Sequence, residues 1–515
     1  MNDAVRREGR PLRPKHAVRS PSSRRRIVII GISIAAAAAT PLGITRAESA
    51  PTTPTRLQRY GAGPSGHDNG MKKPCTGTRR TGPQVLCVRA GARGTGTAAA
   101  PMGTIGAAIA AARDGDIVQV AGGNGVRYSE SVRVGNFGPG DCDNAGVAGR
   151  NFTFLGGFGA DFTSRDAVAN PTLVTGDGKA PAFVLCVMGG RSFVDGFQIS
   201  TRGRARGFVG SSGGYGNEGG SLVVSHNEVF GNRPPGEIDD STVGGGISVV
   251  VQQAATAEVS DNFVHDNESG RGSGIATDTK SESKPIGTMK VVRNRVEKNT
   301  SLGSHGGGMN ITGNAEIAYN LVLGNAVKGE RGGGGWGGGF IAVGGRPVIV
   351  HHNVVTGNTG AAYGQGEFYD EDVDARVSFE FVAANGCSED HRNSEILVDI
   401  GERGDSVADF SNITVVDHRC PTMDVGALVV QQGAKAKVRM SIFANNIGVG
   451  AKPYDLGVDD IGMITVEATV TRQGRPGRGN VTADPAFINV AKGDYRSKAF
   501  PDHGAFAPGG LDSRY

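Results

Sequence analysis

Two asparagines five residues apart recur five times between about 220 and 360, and this repeat limits what the chain can fold into. The first set is Asn227, Asn262, Asn294, Asn320 and Asn353, separated by 35, 32, 26 and 33 residues. The second is Asn232, Asn267, Asn299, Asn325 and Asn358. Two residues after each member of the first set stands Val229, Val264, Val296, Val322 or Val355. Three before stands Val224, Val259, Val291, Ile317 or Val350, and five before Leu222, Ala257, Met289, Ala315 or Val348. Positions two apart on a strand share a face, so a short strand with one apolar face leads into a turn once per repeat.

A glycine cluster followed by a second strand recurs out of phase: Gly244-Gly245-Gly246-Ile247, Gly272-Ser273-Gly274-Ile275, Gly306-Gly307-Gly308-Met309 and Gly337-Gly338-Gly339-Phe340. Units this short cannot bury their own apolar faces and must stack. Stacking places the valines in one interior column and the asparagines in others, where amides hydrogen-bond from unit to unit. Asparagine also tolerates the left-handed backbone of a corner, which predicts that conformation at the asparagines themselves. Ala436, Val438, Ser441, Phe443 and Asn446 keep the same offsets. Between 361 and 425 the register is lost, with Cys387 to Cys420 bracketing much of the break, so longer loops or an insertion are expected there.

Ankyrin, tetratricopeptide and leucine-rich repeats need units that are absent, and a propeller blade needs more residues than one repeat supplies. The expected fold class is therefore all-β, a right-handed parallel β-helix. Its 84 glycines, 38% apolar residues and single Trp among 515 residues suit a core of small and β-branched side chains. One helix is predicted over Thr104–Ala112, where Ile105, Ala108, Ile109 and Ala112 fall on one face. The expected organisation is a leader over 1–50, a linker and N-terminal arm over 51–100, the β-helix over 101–500 and a tail over 501–515.

The net charge of +4 comes from the leader: nine Arg and one Lys against Asp3, Glu8 and Glu48 leave the other 465 residues about −3. That balance argues against a nucleic-acid binder. Arg24-Arg25-Arg26 precedes a run from Ile27 to Ala39 too short to span a bilayer and suited to a signal peptide. Both general and twin-arginine export stay open, and cleavage near residue 48 or 51 predicts a secreted chain with no stable membrane insertion. In an oxidising compartment the six cysteines favour disulfides. Sequential pairing is expected: Cys75 with Cys87, Cys142 with Cys186, and Cys387 with Cys420.

The run from Thr104-Ile105 through Ala108-Ile109 to Asp114-Gly115-Asp116-Ile117-Val118-Gln119-Val120 resembles the N-terminal capping helix and first strand of the pectate-lyase-like, right-handed parallel β-helix superfamily of secreted bacterial proteins. Phe154 to Gly159, Gly176-Asp177-Gly178 and Val194-Asp195-Gly196-Phe197 resemble its first coils. Asp484-Pro485-Ala486-Phe487-Ile488-Asn489 resembles its closing segment, and Ala499-Phe500-Pro501-Asp502-His503 departs from it. The resemblance covers about 100–500 and specifies fold better than function. It implies an extracellular polysaccharide as partner, bound along the outer face of one sheet. It also implies either calcium-assisted elimination with an Arg or Lys base, or hydrolysis by paired aspartates.

Neither motif transfers directly. The strands after the glycine clusters present Ser248, Val250, Ala276, Asp278, Asn310, Thr312, Ile341 and Val343 outward, with one carboxylate and no cation. Asp278 and Asn310 are candidate sugar contacts. The densest acidic segment holds Glu367, Asp370, Glu371, Asp372 and Asp374. Oxygen-only clusters suit calcium, with Glu367, Asp370, Asp372 and Asp374 as ligands and Arg376 as the base. A solvated loop, a structural calcium and a catalytic site all remain open. His305 reads as a donor to a sugar hydroxyl or a turn residue, and Trp336 as a pyranose platform or corner packing. Two function classes follow: a secreted β-helix that binds and cleaves polysaccharide, by calcium-dependent elimination ahead of hydrolysis, or a non-enzymatic surface or matrix protein. Capped ends predict a monomer.

Overall fold

The structure, a computed structural model, describes residues 73–78, 81–135, 150–213, 219–252, 254–279, 287–329, 335–386, 394–401, 405–420, 426–448, 452–458 and 462–512. The leader, Cys142, Cys387 and the cleavage sites lie outside the described residues.

Three parallel sheets run along a stack of coils. Among the described residues sheet 1 has thirteen strands, from Val85–Val88 to Met463–Glu467; sheets 2 and 3 have eleven each, from Val132–Val134 to Leu456–Val458 and from Arg127–Tyr128 to Ile442–Ala444. One coil shows the order: Ile247–Val251 in sheet 2, Thr256–Ser260 in sheet 1, Phe263–His265 in sheet 3, then Glu268–Arg271 in a short sheet 4. The fold expected from the repeat and from the resemblance is the one observed, a parallel β-helix.

Register places like over like. Leu222, Ala257, Met289, Ala315 and Val348 pair in succession, as do Val224, Val259, Val291, Ile317 and Val350. All join one buried core that runs through the stack. Burying such an aliphatic side chain contributes about 1.5–3 kcal/mol, whereas a buried polar group left unpaired costs about 1–3 kcal/mol. The corners must therefore be fully hydrogen-bonded before the core gives a net gain.

Two asparagine ladders meet that condition. Along the first, Asn227, Asn262, Asn294 and Asn320 each donate Nδ2 to the next Oδ1 at 3.1, 3.0, 3.1 and 2.9 Å. Along the second, Asn232, Asn267, Asn299, Asn325 and Asn358 do the same at 2.9, 2.9, 3.0, 3.0 and 2.8 Å, the last onto Asn385. Each backbone N–H donates to that same oxygen, and the second amide proton goes to a backbone carbonyl, as from Asn262 to Val224 at 2.8 Å. The glycine at the third position of each cluster is required by this ladder. A Cβ on Gly274 would sit 2.9 Å from Asn299 Nδ2 and 2.6 Å from the Gly308 carbonyl.

The left-handed corner residue is not the asparagine, contrary to expectation, but its predecessor. His226, Asp261, Arg293, Tyr319 and His352 have φ of 52°, 56°, 58°, 56° and 58°. The asparagine is needed for its amide, and the strain falls on a residue whose side chain points away.

Among the described residues the three sheets also continue where the register seemed lost. Glu367–Asp370, Asp374–Ser378, Phe381–Ala383, Ile396–Val398, Val407–Ser411 and Thr414–Val416 extend sheets 2, 1 and 3 in order. What changes is the ladder: Glu380 follows Asn353, and Ile413 and His418 occupy the next pair of corners.

The ends also differ from the expected boundaries. Val85–Val88, inside the segment read as an arm, is already a strand of sheet 1, and the Cys75–Cys87 disulfide, with a Cα separation of 5.7 Å, holds it. Cys186 and Cys420 are also in disulfides, and their expected partners lie outside the described residues. The helix Ile105–Ala111 is capped by the Thr104 hydroxyl, which accepts from Ala107 N at 3.0 Å, and it buries Ile105, Ala108 and Ile109 against the first strands. At the other end, residues 487–511 fold back along the outside of sheet 3 instead of forming a free tail. Phe381 meets Tyr495 and Phe506 with ring centroids 4.8 and 5.3 Å apart, and Asn412 donates to the Asp502 carbonyl.

Replacing Asn294 by Ala leaves the buried Asn262 N–H and Nδ2 without their acceptor. Equilibrium urea unfolding should show a loss of about 3 kcal/mol, and a change within about 0.5 kcal/mol would contradict the ladder's role.

Candidate functional site

Alternation along sheet 2 sorts its side chains. Ile275, Met309, Phe340, Glu367 and Ile396 stack inward; three residues later, Asp278, Thr312, Val343, Asp370 and Asp399 form an outward row. Between them a second outward row contains Asn310, Ile341, Phe368 and Leu397, all buried. Asp278 and Asn310 therefore stand on the outer face of one sheet, as expected. Asp278 is half-buried and Asn310 is 7% exposed.

Beside this face runs an aromatic column on sheet 4, made by the residue before the first glycine of each cluster. Arg271, His305, Trp336 and Tyr363 occupy successive rungs. Each precedes a glycine in the left-handed region, Gly306 having φ 55° and Gly337 64°. His305 and Trp336 have ring centroids 4.6 Å apart, and Trp336 and Tyr363 lie parallel within 13° at 6.5 Å. Trp336 and Tyr363 pack against Ile341, Phe368, Leu397 and Val429. Trp336 is thus a rung of a column with one face towards His305, and only its remaining surface is open to a sugar. His305 Nδ1 lies 2.5 Å from Ser304 Oγ. Burial, then the Arg271 charge, lowers its pKa to about 4, so the imidazole is neutral at physiological pH.

The acidic segment is dispersed. Glu367 points into the coil and is completely buried, where its Oε2 accepts from the Tyr369 hydroxyl at 2.8 Å. Asp370 points outward. Asp372, in a turn where Glu371 and Asp372 have φ of 52° and 66°, pairs with Arg346, and Asp374 begins the next strand of sheet 1. Arg376 lies on the exposed face of sheet 1 between Ile349 and Asp409, on a different sheet from Asp370. The expected calcium ligands and base are therefore not brought together. Among the described residues no group of three or more His, Cys, Asp or Glu side chains is disposed to hold a metal ion.

The structure instead sets Asp370 and Asp399 on adjacent rungs of the outward row. Asp399 is buried and accepts four hydrogen bonds. Gln431 and Gln432 Nε2 donate to Oδ2 at 2.7 and 3.1 Å, and the Ile400 and Gly401 N–H groups donate to Oδ1 at 2.7 and 3.3 Å. Burial, followed by the Asp399 charge, raises the Asp370 pKa to about 7. Asp399 was missed because Ser394-Glu395 replaces the glycine cluster before its strand, although it keeps the offset of three from the strand's first residue.

No family model matches the chain, and no curated protein does. Solved structures similar to the chain include pectate lyase Pel9A, with a TM-score of 0.37 and 12% identity, covering 79% of this chain and 83% of that one.

The folded-state pKa of His305 lies below its ordinary 6.5, so the neutral ring's contribution to stability is present above pH 6.5 and is lost as pH falls through about 4. Trp336 fluorescence should accordingly stay level from neutral pH to about 5 and change only as His305 protonates. A midpoint near 6.5, or an unaltered transition in His305→Gln, would contradict this environment.

Proposed function

We propose that the protein binds an extracellular polysaccharide along the outer face of sheet 2, and that Asp370 exchanges a proton with the polymer during cleavage. The observation that carries this reading is the Asp370–Asp399 pair beside the aromatic column. A carboxyl with a pKa of about 7 holds its proton about half the time at neutral pH and serves as acid or base there. Burial first, and then the charge of the adjacent Asp399, keep the proton on Asp370. The leader and the Cys75–Cys87 disulfide support an extracellular setting.

The pair supports hydrolysis ahead of calcium-dependent elimination, because the acidic segment that suggested calcium sends its carboxyls to different sheets and faces. One observation favours the competing, non-enzymatic reading: Trp336 is packed into an apolar cluster as well as placed at the site's edge.

Incubation with a panel of uronate and neutral polysaccharides separates the two, with reducing ends and unsaturated products followed in parallel. Asp370→Asn should lower reducing-end release by about 100-fold or more with unchanged circular dichroism. If Asp370 is the acid, turnover should fall as pH rises past about 7. Unsaturated products stopped by a chelator would restore the elimination reading. Absence of products and of binding across the panel would leave the structural reading.

A further inference from the structure

Between the coil that carries Asp370 and the coil after it, both amide ladders give way to carboxyl groups, and three buried glutamates gather. Glu380 takes the N–H and Nδ2 of Asn353 on a single oxygen, Oε1, at 2.9 and 3.0 Å. Glu395 takes those of Asn385 on its two oxygens at 3.0 and 2.5 Å. It does so from the position that Gly366 fills one coil earlier, which is open because His418 stands where the next ladder asparagine would be. Glu367 accepts from Tyr369 on Oε2.

Two oxygens remain, Glu367 Oε1 and Glu380 Oε2, which no fixed donor reaches among the described residues. The two carboxyl groups lie close enough that a hydrogen bond between them is the way left to satisfy these oxygens. A carboxylate is only an acceptor, so such a bond requires a proton on one partner. Two ionised carboxylates in contact, both fully buried, would repel without hydration to offset the repulsion. Among the described residues no cation contacts the pair to relieve it. Tyr369 is a neutral donor flanked by Phe340 and Phe410, Glu395 adds negative charge, and His418 Nδ1 lies 3.3 Å from Glu395 Oε1.

We propose that Glu367 and Glu380 form a buried proton-binding site, and that the proton held there locks the asparagine-laddered coils to the coils that follow. Loss of the proton leaves two adjacent anions between Asn353 and the next coil, where the first ladder has no further amide to carry it across. The five-rung ladders before this point contain no titratable group, so the effect is confined to the junction. The direction follows from linkage. Burial raises both carboxyls above their ordinary 4.5, the folded chain keeps a proton that the unfolded chain releases, and stability that is full below pH 4.5 declines as pH rises through neutrality.

Urea unfolding of the full chain across about pH 5 to 9, followed by the fluorescence of Trp336 one coil before Glu367, tests the site. The unfolding constant should rise by up to about tenfold per pH unit as pH increases towards neutrality. Glu380→Asn, which prolongs the amide ladder, and Glu367→Gln should each flatten that dependence, while the exposed Glu371→Gln keeps it. If neither variant folds, infrared spectra of the unaltered protein should show a protonated-carboxyl band at neutral pH that survives in Asp370→Asn. A stability independent of pH, an unchanged slope in both folded variants, or the absence of that band would overturn the proposal.

Discussion

The hydrogen bond from one asparagine side chain to the next, repeated at two corners of five successive coils, is the constraint on which the remaining structure depends. It fixes two points per coil, so a repeat can range from 26 to 35 residues with the difference absorbed between the second corner and the next sheet 1 strand. It dictates glycine at the end of each cluster, because the amide of the second ladder occupies the space a Cβ would need. It also sends the left-handed strain to the preceding residue, whose side chain is free to vary. Positions 226, 261, 293, 319 and 352 accordingly hold His, Asp, Arg, Tyr and His.

These dependencies explain what could be read from the sequence. Asparagines and valines at fixed offsets are visible because interior positions tolerate few side chains, and they sufficed to specify a parallel β-helix. The left-handed column was invisible because nothing in its composition repeats. The coils between 361 and 425 were hidden for a related reason: the ladder role passes to Glu380, and Ile413 and His418 take the next corners, so a search for asparagine fails. The apolar offsets were still there, with Ala375 and Val377 five and three residues before Glu380 and Val382 two after. The backbone needed the column of aliphatic side chains more strictly than it needed the amide.

Acidic density along the chain was a poor guide to acidic density in space. On a strand, neighbours point to opposite faces, and between strands the chain changes sheets. Glu367, Asp370, Asp372 and Asp374 thus divide among the interior, an outer face, a turn and the next sheet. The outward carboxyl that does approach Asp370 is Asp399, 29 residues later in sequence and one rung later in space. In a solenoid, residues one coil apart at equal offsets are the neighbours, and the four-residue windows that reveal a metal loop elsewhere are not.

The same alternation brings the two unusual chemical features of the molecule into one coil. Glu367 and Asp370 are the ends of a single four-residue strand, one facing Glu380 inside and the other facing Asp399 outside. Asparagine would have continued the first ladder at position 380 at no electrostatic cost, as it does at five earlier corners. A buried carboxyl there carries a desolvation penalty of several kcal/mol when ionised, and it returns no donor to the next coil. The preceding coils repeat one interior solution, and the departure from it coincides with the outward aspartate pair and lies in the same coil as Tyr363 of the aromatic column. That coincidence, more than any single residue, marks the coil from Tyr363 to Asn385 as the part of the stack shaped by something other than stacking.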